Sequence, residues 1–118
     1  MERVIQFLSV ICVFLLFSSH SFAQTGSRIF GKVSDQTSAT VESARVVLKS
    51  LATQTEQVAT TGTTGEFSFE NLSNGLYRLT VEKSGFSSVT RSFTLVSGGE
   101  RIEADIELLP GGITEVVS

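Results

Sequence analysis

Beyond residue 23 the chain has no cysteine, no histidine and no tryptophan. Without thiols a small domain has no disulfide scaffold and must rely on a hydrophobic core. Without imidazole there is no Ser-His or Cys-His nucleophile pair, so an enzyme is the least favoured class, and no cofactor is expected. Strong charge is missing too. The formal net charge is −3, which favours neither nucleic-acid binding nor attachment to an anionic membrane.

The only cysteine, Cys12, and the only histidine, His20, sit in an N-terminal leader. Arg3 supplies a short positive start, cancelled by Glu2, and Val4–Phe17 is almost wholly apolar, interrupted by Gln6 and Ser9. Ser21 and Ala23 are the small residues a signal peptidase accepts, so a signal-peptide helix over residues 1–23 is expected, cut between Ala23 and Gln24. The run is shorter than the ~20 residues a membrane-spanning helix needs. Ile11 before Cys12 is too large for a lipoprotein cleavage site. The expected location is therefore exported: periplasm, outer membrane or extracellular. About 95 residues then remain, enough for one sandwich-sized domain and too few for two.

What is present is alternation. In Gly65–Phe86, Phe67 and Phe69 share one face of a strand, and Tyr77, Leu79 and Val81 share one face of the next. Leu72 and the pair Asn74-Gly75 form a tight turn between them. Further strands are expected at Arg28–Ser34 (Ile29, Gly31 and Val33 on one face), Ala44–Leu51, Thr55–Thr61 as a polar edge, and Val89–Val96. The cleanest alternation is Arg101–Leu109, with Ile102, Ala104, Ile106 and Leu108 inward and Glu103, Asp105 and Glu107 outward. Residues 24–27 read as a flexible lead-in and 110–118 as a C-terminal tail. About seven short strands separated by Gly/Ser/Thr/Asn turns predict an all-β Greek-key sandwich.

At Gly31–Asp35 (GKVSD), Ser43–Leu48 (SARVVL), Gly65–Phe86 and the IEADIEL strand, the sequence resembles the carboxypeptidase regulatory-like domain over residues 28–109. The resemblance implies a transthyretin-like (prealbumin-like) sandwich grouped with carbohydrate-binding-like folds. Two positions depart from the pattern: Ser43 replaces a usual Gly, and Gly62 replaces an Asp. In bacterial members such a domain often follows the signal of TonB-dependent outer-membrane receptors, and ITEVVS at the tail is similar to the junction there. The resemblance thus implies an accessory or interaction domain, with a receptor fragment (transport) or a carbohydrate-binding module as alternatives. Its partner would be a protein or glycan, or an outer-membrane receptor barrel.

No peptidase chemistry follows from the family name, since a zinc carboxypeptidase needs histidine and carboxylate ligands. Related adhesin sandwiches form isopeptide bonds between a core Lys and an Asn, assisted by a buried Glu. Here Lys32 falls outward and Val81 stands where that Glu is expected. Glu103, Asp105 and Glu107, about 7 Å apart along an open face, are too spread to cage a cation. Tyr77 falls in the inward series rather than on a sugar-stacking surface. Asn71-Leu72-Ser73 fits a glycosylation sequon but reads better as a turn. Phe30, opposite Ile29 and Val33, and Phe86 are the two candidates for a contact patch.

Overall fold

A computed structural model describes residues 26–111. The expected leader, Gln24 and Thr25 of the lead-in, and residues 112–118 of the tail lie outside the described residues. Eight strands follow in order: β1 (Ser27–Asp35), β2 (Arg45–Ser50), β3 (Glu56–Thr60), β4 (Glu66–Leu72), β5 (Gly75–Glu82), β6 (Val89–Leu95), β7 (Arg101–Glu103) and β8 (Ile106–Leu108). One sheet has the order β4-β1-β7, with β8 also on β1; the other runs β3-β2-β5-β6. Pairing is antiparallel except between β1 and the last two strands, which run parallel to it.

The alternation read from the sequence is what the two sheets bury between them. Ile29 and Val33 of β1 face Val46, Leu48, Leu79 and Val81 of the second sheet, all at most 1% exposed. Phe67, Phe69, Leu72, Tyr77, Ile106 and Leu108 complete the core. Each such side chain contributes roughly 1.5–3 kcal/mol on burial. Tyr77 is a core residue whose hydroxyl donates to the carbonyl of Ser73 at 2.7 Å, so its one polar atom is satisfied.

The structure differs from the sequence reading in two places. β4 and β5 do not pair: the turn between them carries the chain from one sheet to the other. Leu72 plugs the core at this crossing, and Asn71 takes a left-handed φ of 56°, a conformation Asn tolerates better than most residues. The last strand is broken in two at Ala104–Asp105. There the Ala104 N–H donates to the Phe30 carbonyl (2.7 Å) and the Asp105 carboxylate accepts from the Lys32 N–H (3.0 Å). Asp105 thereby replaces a backbone acceptor where the ladder is interrupted, and Gly31 lets the chain come this close. A β-carbon on Gly31 would stand 2.1 Å from the Ala104 carbonyl oxygen. The break explains eight strands in place of seven.

Contacts continue on both sides of residues 28–109. Ser27 is the first residue of β1 and fully buried, its hydroxyl accepting from the Glu100 N–H (3.0 Å) and donating to Ser97 O (3.3 Å). Pro110 bridges to Phe86, and the Gly111 N–H donates to Gly85 O at 2.7 Å.

Candidate functional site

β1 presents Arg28, Phe30 and Lys32 on its outward face because Ile29, Gly31 and Val33 occupy the inward one. Register then adds neighbours. β4 brings Ser68 opposite Phe30 and Glu66 opposite Lys32, and parallel β7 brings Arg101 opposite Arg28 and Glu103 opposite Phe30. Arg28, Phe30, Lys32, Glu66, Ser68 and Glu103, with Ala59 and Thr60 of β3, line an open cleft of about 460 Å³.

The half-buried Phe30 ring is the centre of this surface. The Arg28 guanidinium lies 4.6 Å from its centroid and that of Arg101 lies 5.9 Å away. Two cations on directly paired positions repel. Attraction to the electron-rich ring face, worth roughly 0.5–1 kcal/mol at an exposed site, offsets part of that repulsion. Glu70 offsets more on the Arg28 side, at 3.4 Å from Nε, and Ser68 Oγ accepts from the same nitrogen at 3.3 Å. Arg101 makes no ion pair among the described residues.

Phe86 lies elsewhere. It is half-buried against the core, beyond the far end of β8, bridged to Pro110. Along the β1–β8 register that is about 20 Å from Phe30 at the usual rise per residue, so the two candidates form separate surfaces. Lys32 is exposed and Val81 fully buried, so the isopeptide constellation is not assembled. The acidic row is interrupted, because Asp105 turns to the Lys32 amide. Among the described residues no three His, Cys, Asp or Glu side chains group as a metal site. The Asp35 carboxylate is displaced. The Thr37 hydroxyl, with the Thr37 and Ala39 amides, holds it below the ordinary range, and this orders a turn on the exposed surface.

Alternation alone puts Arg28 beside Phe30. Arg101, in contrast, reaches this site only through the parallel β1–β7 pairing across 73 residues, which no local pattern announces. What the arrangement offers is a stacking surface with two cations beside it.

Comparison with known proteins gives one family and several solved structures. The sequence model of the carboxypeptidase regulatory-like domain matches residues 28–109. No curated protein matches the chain. The pilus 2b backbone protein of group B streptococcus is similar at 20% identity and a TM-score of 0.59, over 74% of this chain and 42% of that one. A Bacteroides uniformis protein held to bind carbohydrate is similar at 20% identity and TM-score 0.56, over 71% and 41%. Klebsiella pneumoniae 5-hydroxyisourate hydrolase, at 22% and 0.60, is covered over 92% of its length and covers 73% of this chain. The chain thus spans about two-fifths of the length of the first two. At these identities the likeness is one of fold.

Proposed function

Because the chain belongs to the carboxypeptidase regulatory-like domain family, we propose that it is a non-catalytic, exported module that works by contact through the outward face of β1. The observation that carries this reading is the Phe30 ring, with the Arg28 and Arg101 guanidinium groups over it, beside an open cleft. An aromatic ring at a sheet surface adds little to a core that is already closed beneath it. Flanked by two guanidinium groups, it suits a partner surface with an apolar or sugar-ring face and acceptor oxygens beside it. The absence of histidine and cysteine after residue 23 supports the non-catalytic part, and the leader supports export.

A photo-crosslinking residue placed at Phe30, in the chain expressed in its native cell, tests the reading. Capture of one partner from the envelope, lost on Arg101→Ser at unchanged melting temperature, is expected. No capture at Phe30, with capture from a residue on the opposite sheet such as Arg78, would overturn the choice of face.

The Bacteroides uniformis neighbour supports a second reading, in which the partner is a glycan. A glycan array probed with the same chain and with Phe30→Ser separates the two. Binding abolished by Phe30→Ser assigns the site to sugar, whereas a blank array leaves the protein partner.

A further inference from the structure

Another hollow lies on the second sheet, at the end where β5 turns into β6. It has a volume of about 390 Å³ and is lined by Ser43, Arg45, Glu82, Lys83, Ser84 and Ser88. Arg45 opens β2 and is paired with Glu82, the last residue of β5. Lys83 and Ser84 enter the turn that the Phe86 N–H closes on Lys83 O at 3.0 Å, and Ser88 precedes β6. All six lining residues are polar or charged, so a ligand here is held by charge and hydrogen bonds rather than by apolar burial.

The lining carries two cations and one carboxylate. Lys83 is half-buried and makes no ion pair among the described residues. Arg45 reaches Glu82 only at 3.5 Å, with about half of each side chain exposed (55% and 47%). Such a pair contributes little and leaves the guanidinium able to donate elsewhere. The hydroxyls of Ser43, Ser84 and Ser88 make no hydrogen bond among the described residues. Ser43 adds an independent sign, because it holds φ 59°, a left-handed conformation that glycine takes freely and serine takes at a cost. Glycine would suit the backbone better but would remove a hydroxyl from the hollow. We propose that this hollow binds a phosphate group. Arg45 and Lys83 supply charge-assisted donors, and the serine hydroxyls supply neutral ones around them. A tetrahedral oxyanion has acceptor oxygens enough for this set, whereas a carboxylate has two. Glu82 opposes such an ion, so the carboxylate limits affinity. This site is separate from the Phe30 face and stands or falls without it.

The test is a titration of the chain with sodium phosphate, followed by amide chemical shifts, with ionic strength held constant by sodium chloride so that general screening cancels. Saturable shifts confined to the residues lining the hollow are expected, with a melting temperature raised above that in chloride alone. Arg45→Ser and Lys83→Ser are each expected to weaken binding roughly fivefold or more. Ser43→Gly is expected to weaken it as well, despite a more stable fold, and Glu82→Gln to tighten it. Lys49→Ser, on the same face of β2 but outside the hollow, is expected to leave it unchanged. Shifts that rise without saturating, or that Lys49→Ser reduces as much as Lys83→Ser does, would overturn the proposal in favour of diffuse attraction to exposed cations. Glycerol phosphate as a second probe separates the sources of the group. Binding tighter than that of inorganic phosphate assigns the site to a phosphate ester, and equal or weaker binding assigns it to the free ion.

Discussion

Ser43 adopts φ 59°, in the left-handed region, and its exposed side chain makes no hydrogen bond that holds it there. The sequence pattern marks this position as one where a Gly is usual, and the backbone explains why. A non-glycine residue pays ~1–2 kcal/mol in that region, while glycine returns up to ~1 kcal/mol through its freer unfolded chain. Ser43→Gly is therefore expected to stabilise the domain by about 0.5–1 kcal/mol, read as a raised urea midpoint at unchanged slope. The neighbouring turn is held by Thr61, whose buried hydroxyl accepts from Ala44 N–H and donates to Val41 O, both at 2.8 Å. At Asp35 the sign of the pH effect follows from a lowered folded-state pKa. The stabilisation is complete above the ordinary carboxylate value of 3.8 and is lost as pH falls through the lowered one. Because the group is exposed, the effect is local. Amide exchange at Thr37 and Ala39 should speed up at acid pH relative to β1, and Asp35→Asn should reduce that dependence.

Among the elements, the divided last strand carries the most information. Alternation identified Ile102, Ala104, Ile106 and Leu108 as the inward set, and all four are buried or half-buried. Alternation does not reveal the break, because the period of two continues across it; the interruption is in hydrogen bonding, supplied by the Asp105 side chain. Gly31→Ala is expected to cost about 3 kcal/mol or more, since the added carbon collides with backbone that has no room to relax. Denaturant titration checks this, and a loss below 1 kcal/mol would mean that the last two strands move freely from β1. The same limit of local pattern applies at the β4–β5 turn. Strand faces follow from Phe67, Phe69, Tyr77 and Leu79, but which sheet each strand joins depends on partners distant in sequence.

For the molecule as a whole, fold class was legible because β1, β2, β4, β5 and β8 each have one wet and one dry face, and the composition of those faces is local. The candidate site was half legible. Phe30 and Arg28 follow from the alternation of β1, whereas Arg101, Glu103 and the Ala59–Thr60 wall come from pairing and from the approach of two sheets. Phe86, the other contact-patch candidate, is half-buried and bridged to Pro110.

The parallel pairing of β1 with β7 and β8 has a mechanical meaning. Ser27 and Leu108 lie at opposite ends of the same ladder, so tension between the two ends of the domain slides these strands along one another. The slanted bonds of a parallel ladder then share the load and must yield together rather than one by one. Pulled at Gly26 and Gly111, the domain should give a single tall rupture peak. Pulled at Gly26 and Ser73, where β4 peels from β1 like a zip, it should open at a markedly lower force. Set in line within a longer assembly, this domain would transmit a pull without paying out chain.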